Sequence, residues 1–253
     1  MTEAHSPVTI VTGGSRGIGA AVVARLARAG HDVVVCYRND HEAASRAVKD
    51  AELVGGVRGL AVRADVSRED DVQRLFAAAE EKFGAVTGLV NNAGLTGHIG
   101  DLVDTPVNLV RRVIDVNFLG VVLCARRAAQ HMSRRRGGQG GVIVNVSSAA
   151  ATLGAAHEYV HYAAAKAAVE ALTVGLAKEL AGDGVRVNAV SPGIVRTGIH
   201  ASAGDPDRPD RLASRIPLGR AGEPDDIAPV IAWLFSSEAA YMTGAVVRVA
   251  GGM

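Results

Sequence analysis

The sequence predicts an α/β fold: a single-domain, doubly wound parallel sheet of Rossmann-like order with helices on both faces. Short runs of β-branched and other apolar residues recur along the chain, mostly separated by longer segments of helical character. These runs lack the strict alternation of a half-exposed strand, which favours central parallel strands. The predicted strands are residues 8–11, 33–36, 60–62, 89–90, 142–146, 185–190 and 246–249.

The chain has 253 residues, 48% of them apolar, and no linker-like change of composition divides it. Because α/β folds of this length commonly form one unit, we expect a single domain over residues 1–253. Residues 198–209 combine glycine and proline with Ser and Asp, which predicts an irregular surface loop. We expect a substrate lid over about residues 196–216.

Several residues mark helix ends. Ser67, followed by Asp70, resembles an N-cap with an acidic first turn. Pro106 and Pro224 suit the first turn of a helix. The three arginines at 134–136 precede a glycine-rich turn, where their charge would complement the carboxyl end of a helix rather than bind nucleic acid.

Charge and composition favour a small-molecule partner. The 27 basic and 26 acidic side chains leave a formal charge of +1, so no overall field favours nucleic acid or an anionic membrane. No segment is long and apolar enough to span a bilayer. The first seven residues lack the features of a secretory signal, and we expect a cytoplasmic protein.

No metal site is expected. Cys36 and Cys124 lie far apart without a CxxC pairing, and Cys124 is interpreted as a core residue. His157, His161 and His200 have no clear ligand spacing with cysteine or acidic residues. Loop histidines of this kind are more often solvated than functional, and we expect solvation here.

A glycine-rich turn follows the first predicted strand and leads into a helix. Its glycines, Gly13, Gly17 and Gly19, permit a sharp turn and a close approach of the backbone to a pyrophosphate. The free N–H groups of the new helix would face that anion. The spacing differs from GxGxxG, but the strand-to-helix context favours a dinucleotide phosphate site.

The residues after the second strand bear on the choice of cofactor. An acidic residue there would bind the adenosine ribose hydroxyls of NAD. Tyr37, Arg38 and Asn39 occupy the position instead, and Arg38 with Arg16 could hold a 2′-phosphate. NADP(H) is therefore favoured over NAD(H), although both arginines suit an ordinary surface and Asp40 leaves a route to NAD.

Tyr162 and Lys166 lie four residues apart at the start of a predicted helix and can share one face. Lowering a phenol pKa by about three units requires about 4 kcal/mol. An ammonium about 4 Å away supplies that order of energy at an effective dielectric of about 20. The pair is a plausible acid/base device, although an amphipathic helix edge produces the same spacing.

Ser147 and Ser148 follow the fifth predicted strand, at the edge where doubly wound sheets bind ligands. Ser148 could donate a hydrogen bond to a substrate oxygen. A helix cap or loop role is also consistent with either serine, and more so with Ser147.

Together these motifs resemble the short-chain dehydrogenase/reductase family over nearly the whole chain. Residues 12–19 resemble its TGxxxGxG turn, residues 91–94 its NNAG motif, and Tyr162 with Lys166 its YxxxK pair. Asn117 and Ser148 resemble the rest of its catalytic tetrad. The C-terminal residues 249–252 resemble a VDGG-like ending except at Ala250, which weakens assignment to the commonest subgroups.

The resemblance implies a role for each tetrad residue. Tyr162 would be the general acid in reduction and the base in oxidation, and Lys166 would lower its pKa while binding the nicotinamide ribose. Ser148 would polarise the substrate oxygen. Asn117 would hold a helix distortion and a water that connects Lys166 to solvent.

The resemblance and the glycine turn together imply a set of cofactor contacts. Asp65 and Val66 would contact adenine, and the segment that includes Pro192 and Thr197 would hold the nicotinamide amide. The expected cofactor-binding residues are Gly13, Ser15, Arg16, Gly17, Ile18, Gly19, Tyr37, Arg38, Asp65, Val66, Asn91, Ala93, Gly94, Tyr162, Lys166, Pro192, Gly193, Val195 and Thr197.

The sequence therefore predicts an NADP(H)-dependent oxidoreductase acting on a small carbonyl or alcohol compound. A 3-oxoacyl thioester reductase and a sugar 1-dehydrogenase are alternatives within the family, and Arg196 and Arg215 could attract an acidic carrier. A dinucleotide-binding regulator without turnover is the alternative from another class. The predicted helix at 159–180 is apolar around much of its circumference, which indicates a subunit interface. The resemblance favours a homotetramer, and a homodimer remains open.

Overall fold

A computed structural model describes residues 6–253, which form a seven-strand parallel sheet in the order β3-β2-β1-β4-β5-β6-β7. The fold class predicted from the sequence is confirmed, and each predicted strand corresponds to one in the sheet. The strands are β1 Val8–Thr12, β2 Asp32–Tyr37, β3 Gly59–Arg63, β4 Val86–Asn91, β5 Gly141–Val146, β6 Val185–Pro192 and β7 Val246–Val249.

Helices cover both faces of the sheet because successive strand residues point to opposite sides. Ile10 belongs to a core cluster with Phe76 and Cys124, whereas its neighbour Val11 belongs to a second cluster with Leu26 and Ile227. The helices are α1 Gly17–Arg28, α2 His41–Gly55, α3 Glu69–Phe83, α4 Val107–Ile114, α5 Gly120–Met132, α6 Ala150–Leu153, α7 Val160–Leu180, α8 Gly198–Ser202, α9 Arg208–Leu212 and α10 Pro224–Trp233.

Shorter helical turns complete the chain. A π-helical turn at Asp115–Leu119 joins α4 to α5. Single 3-10 turns lie at Leu102–Asp104, Arg134–Arg136, Ala181–Asp183, Ala213–Arg215 and Ser237–Ala239.

The strand order places a crevice at the carboxyl ends of β1 and β4. From β1 the chain proceeds outward to β2 and β3, then returns to pair β4 with the other side of β1. The connections that follow the two strands diverge at this point, which is where doubly wound sheets bind ligands.

A chain of buried polar side chains ties two central strands to α7. Asn91 Nδ2 on β4 donates to Asn145 Oδ1 on β5 at 2.9 Å, and Asn145 Nδ2 donates to Thr173 Oγ1 on α7 at 2.9 Å. Thr173 in turn donates to the Val169 carbonyl at 2.8 Å. All three polar side chains are buried, so each bond replaces one that water would otherwise make.

The predicted helix starts are only partly correct. Pro224 is the first residue of α10, and Pro106 immediately precedes α4. Ser67 is not an N-cap: its hydroxyl donates to Asp65 Oδ1 at 2.6 Å, and α3 begins two residues later. The nearby carboxylate competes for the hydroxyl that the local pattern assigned to the helix.

The segment predicted as an irregular loop at 198–209 contains α8 and the start of α9. Arg196, just before α8, pairs with Asp210 on α9 at 2.5 Å and with Glu223 at 3.1 Å. These ion pairs connect the residue before α8 to α9 and to the residue before α10. They also occupy Arg196, which the sequence offered as an attractor for an acidic carrier.

Other sequence expectations concern burial. Cys124 is fully buried, as expected of a core residue. Within residues 6–253, no helix has the length and apolar character needed to cross a membrane. The same residues contain no group of three or more His, Cys, Asp or Glu side chains arranged to hold a metal ion.

Candidate active site

A cavity of about 680 Å³ opens at the carboxyl edge of the sheet and brings together segments from both halves of the chain. Ser148, Tyr162 and Lys166 line it, as do all the expected cofactor-binding residues except Gly19 and Asn91. Gly19 packs behind the glycine turn, and the Asn91 side chain faces Asn145 inside the sheet. These two residues support the cavity wall rather than forming its surface.

The glycine turn packs closely against the chain that follows β4. Gly13 and Gly17 adopt positive φ values of 62° and 54°, which favour glycine. A Cβ at Gly13 would lie 3.0 Å from the Cα of Ala93, and one at Gly17 would lie 3.2 Å from Thr197 Cγ2. The glycines therefore keep this end of the cavity open.

Asn92, which the sequence analysis did not single out, holds the turn in place. Its Nδ2 donates to the carbonyls of Thr12 and Gly13 at 3.0 and 3.1 Å. The Thr12 hydroxyl accepts from the backbone N–H groups of Asn92 and Ala93 at 2.9 and 3.0 Å. Because α1 starts at Gly17 with its first N–H groups facing this turn, a dinucleotide pyrophosphate fits the site.

Charged groups cluster where the cavity meets the ends of β2 and β3. Asp65 Oδ2 lies 3.3 Å from Arg38 Nε and 2.9 Å from Arg112 Nη2. Burial opposes ionisation of Asp65, but hydrogen bonds from Ser67 and Arg112 outweigh it and lower the pKa of the carboxyl. Arg112 joins this cluster from α4, 47 residues away in sequence, and no local motif marks it.

Asp40 is used for another purpose. Its Oδ1 accepts a hydrogen bond from the N–H of Ala43 at 2.9 Å and so caps α2. Arg16 and Arg38 are both exposed and both line the cavity. This end of the cavity therefore presents guanidinium groups at its surface, while the nearest carboxylates are engaged in a helix cap and in ion pairs.

Tyr162 and Lys166 lie on one face of α7, near Ser148. Both are buried, with 7% and 3% of their surfaces exposed. Burial raises the pKa of Tyr162, while a hydrogen bond with Ser148 and the charge of Arg208 act in the opposite direction. Burial lowers the pKa of Lys166 to about 8.

A backbone carbonyl holds the Lys166 ammonium beside Tyr162. Lys166 Nζ lies 5.7 Å from the centroid of the Tyr162 ring and donates to the Val146 carbonyl at 2.7 Å. Lys166 is not among the groups that shift the pKa of Tyr162. The Val146 carbonyl fixes the position of the Lys166 ammonium group.

Asn117 lies in the π-helical turn, in agreement with the helix distortion expected for it. Its Nδ2 donates to the carbonyls of Leu95 and Val113 at 2.7 and 2.8 Å. A Cβ at Gly94 would lie 2.7 Å from Asn117 Oδ1 and 3.7 Å from Lys166 Nζ. Gly94 thus leaves open the space in front of both side chains, which a ribose would fill.

Two of the three histidines differ from the expectation of solvated loops. His157 is exposed and lies 2.8 Å from Asp101 Oδ1. His161 is buried in the first turn of α7, and His200 is buried on α8 with its Nε2 2.9 Å from the Val195 carbonyl. The expectation is wrong for the latter two because helices, not loops, carry them.

Burial of the Lys166 ammonium group lowers the free energy of unfolding, and this effect can be tested. Its pKa is about 8 when folded against an ordinary 10.5, so the unfolded chain binds more protons between these values. The cost is therefore full below pH 8 and disappears as pH rises toward 10.5. A shift of this size is worth about 3 kcal/mol, and the bond to Val146 offsets about 1 kcal/mol. Lys166→Met should raise the free energy of unfolding at pH 7 by about 2 kcal/mol.

Denaturant unfolding of both proteins at pH 7 to 10, at one protein concentration, checks this expectation. The stability gap should narrow as pH increases. Lys178→Met is the matched control, because Lys178 is exposed on the same helix. A variant less stable than the parent at pH 7, or a gap independent of pH, would contradict the assigned burial cost.

Comparisons with known proteins agree with this arrangement. A family profile described as enoyl-(acyl carrier protein) reductase matches residues 13–253. The chain is 42% identical to 3β-hydroxysteroid dehydrogenase 1 of Eggerthella lenta, over 96% of this chain and 92% of that protein. It is 40% identical to L-rhamnose 1-dehydrogenase (NAD(P)(+)) of Azotobacter vinelandii, over 96% and 95% of the two chains.

Solved structures with a similar fold belong to the same class of enzyme. The crystal structure of a short-chain type dehydrogenase/reductase from Mycobacterium marinum matches with a TM-score of 0.91 at 32% identity, covering 98% of this chain and 95% of that one. The chain therefore belongs to the short-chain dehydrogenase/reductase family. It is an NAD(P)-dependent oxidoreductase, and the sequence prediction of family and enzyme class is confirmed.

Proposed function

We propose that this enzyme uses NADP(H) in preference to NAD(H) to interconvert a small carbonyl compound and its alcohol. The observation that carries the cofactor preference is the pair of exposed guanidinium groups, Arg16 and Arg38, at the cavity edge. Guanidinium groups bind phosphate through paired, charge-assisted hydrogen bonds. The engagement of Asp40 in capping α2 disfavours its use on a ribose diol.

The tetrad then divides the chemistry. Bound nicotinamide supplies or accepts the hydride. Tyr162 gives a proton to the substrate oxygen during reduction and takes it back during oxidation. Ser148 orients that oxygen through its hydroxyl, and Lys166 binds the ribose beside Gly94. Asn117 positions the backbone around Lys166 and keeps a path for proton exchange with solvent.

Further observations support a proposal for the oligomeric state and the cellular location of the enzyme. Helix α7 exposes Ala171 and Val174 on its outer surface, which supports burial of this face between subunits of a homotetramer. The near-neutral formal charge of +1 and the unpaired, buried cysteines suit a cytoplasmic enzyme. The substrate classes of the named relatives, a steroid and a sugar, differ too much for either to be transferred by similarity alone.

Paired titrations test the cofactor preference. Purified enzyme is titrated with NADPH and with NADH at matched salt concentration, following nicotinamide fluorescence. We expect tighter binding of NADPH, because only this cofactor offers a 2′-phosphate to Arg16 and Arg38. Tighter binding of NADH would overturn the preference, and binding of neither would overturn the cofactor assignment.

A further inference from the structure

A partly buried ion pair connects the lid to the residues just before the catalytic helix. Arg208, at the start of α9, donates from Nη2 to Glu158 Oε2 in the turn that precedes α7. Arg208 is only 7% exposed, although it is a charged residue on a surface lid. Both side chains line the cavity together with Tyr162.

Aromatic rings place this ion pair close to the reacting group. The guanidinium carbon of Arg208 lies 5.4 Å from the centroid of the Tyr159 ring. That ring meets the Tyr162 ring edge to face, with centroids 5.4 Å apart. The ion pair is thus separated from the catalytic phenol by one aromatic side chain, a distance that a second group of a small substrate can span.

The ion pair retains unused hydrogen-bonding capacity. Nε of Arg208 is buried and has no hydrogen-bond partner within the described part of the chain. A buried N–H of a charged group without a partner is costly, and a ligand in the cavity reaches the pair through Glu158, whose side chain is 29% exposed. The Glu158 carboxylate holds more lone pairs than the bonds from Arg208 and Tyr159 use.

The charges decide which ligand chemistry suits the pair. Because Glu158 already neutralises Arg208, a carboxylate or phosphate on the substrate would be repelled by Glu158. An apolar chain would cover the exposed part of the Glu158 carboxylate without offering it a hydrogen-bond donor. A neutral hydroxyl group does neither, because it donates to the carboxylate and accepts from the guanidinium.

We infer that Glu158 and Arg208 form the specificity subsite for a neutral polyhydroxylated substrate, binding a hydroxyl other than the one that reacts. This inference rests on the proposed function and specifies its substrate class. In the oxidation, one carbon loses a hydride to NADP⁺ and its hydroxyl proton to the phenolate form of Tyr162. A C=O double bond forms, NADP⁺ is reduced to NADPH and Tyr162 becomes the neutral phenol. The distant hydroxyl stays intact and only holds the substrate in place.

The test compares two kinds of alcohol with NADP⁺. A panel of neutral aldoses and their monodeoxy analogues offers the distant hydroxyl or lacks it, and cyclohexanol offers only the reacting one. The parent enzyme should give a higher kcat/KM for at least one aldose than for cyclohexanol. Glu158→Gln and Arg208→Gln should each lower that aldose value about 10- to 100-fold, the range for a hydrogen bond to a charged group. In Glu158→Gln, cyclohexanol turnover should change by less than about threefold. Arg208→Gln also removes a charge that acts on the pKa of Tyr162, so this variant is judged by the ratio of its aldose loss to its cyclohexanol loss.

Controls separate binding from structure. Arg211→Gln removes the same charge from the same helix, but Arg211 is exposed and pairs with Asp205 outside the cavity lining. This variant should leave kcat/KM unchanged for both the aldose and cyclohexanol. If Arg208→Gln does not fold, Glu158→Gln is tested with the deoxy analogues. The parent enzyme should have a lower kcat/KM for the analogue that lacks the distant hydroxyl than for the full aldose, and this difference should largely vanish in Glu158→Gln.

Three results would overturn the inference. Equal losses on the aldose and on cyclohexanol would show that the ion pair only holds the lid. Higher kcat/KM for a hydroxysteroid or a 3-oxoacyl thioester than for every aldose would assign the site to an apolar or acyl substrate, leaving the proposed function intact. Absence of any NADP(H)-linked turnover would overturn the proposed function together with it.

Discussion

Tyr162→Phe is expected to lower kcat by at least about 100-fold, because general acid–base catalysis contributes a factor of this order. The variant removes only the hydroxyl, and the ring keeps its edge-to-face contact with Tyr159. NADPH binding and the unfolding temperature should therefore stay close to those of the parent. Steady-state turnover, cofactor titration and thermal unfolding measured on the same preparation check the three expectations.

Tyr241→Phe is the matched control for this experiment. Tyr241 is fully exposed and lies outside the cavity lining, so the same loss of a hydroxyl should leave kcat unchanged. Turnover of Tyr162→Phe near the parent value would remove Tyr162 from its assigned role and leave the reaction without an identified proton donor.

Arg38→Gln is expected to weaken NADPH binding about 10- to 150-fold while changing NADH binding by less than about threefold. The guanidinium would bind the 2′-phosphate, a group that NADH lacks. Glutamine is the better replacement because an introduced carboxylate would face Asp65, which now lies 3.3 Å from Arg38 Nε. Fluorescence titration with each cofactor gives the two dissociation constants.

Arg46→Gln controls for the change in net charge. Arg46 is exposed on α2, pairs with Glu42 and does not line the cavity. It should alter neither constant beyond a small long-range effect that salt screens. Equal losses for NADPH and NADH in Arg38→Gln would instead show that Arg38 acts through Asp65 and the adenine site common to both cofactors.

The strands were predictable because their signal is local. Runs such as 142–146 and 185–190 are apolar, β-branched and bounded by turn residues, and the structure extends them by only one or two residues at an end. The glycine turn was equally readable, since positive φ values and close packing at Gly13 and Gly17 demand glycine. Resemblance supplied Asn117, whose π-helical turn no propensity pattern indicates.

The features that the sequence did not reveal depend on partners far along the chain. Ser67 suits a helix cap until Asp65 and Arg112 are placed beside it. From the sequence, Asn91 is expected to line the cofactor site, but in the sheet its side chain bonds to Asn145 on the neighbouring strand β5. In each case a polar side chain has two satisfactory partners, and only the tertiary structure selects one.

The segment at 196–216, expected to form a lid, illustrates the same limit more strongly. The glycines and prolines at 198–209 correctly indicated turns. The ion pairs of Arg196, however, join residues that lie 14 and 27 positions apart in the sequence. The contact between Arg208 and Glu158 spans 50 positions. Pairings over such separations are set by the fold, and so the groups proposed to bind the substrate emerged only from the structure.

The chain of hydrogen bonds from Asn91 through Asn145 to Thr173 fixes the alignment of α7 on the sheet. Apolar surfaces pack well in several neighbouring alignments, whereas two amides and a hydroxyl meet in only one. Thr173 lies seven residues, about two helical turns, beyond Lys166 on the same helix. Apolar replacements at these three positions would fill the same space but remove this constraint. Contacts near the start of α7, such as the bond from Lys166 to the Val146 carbonyl, would then have to keep the Tyr162 phenol aligned.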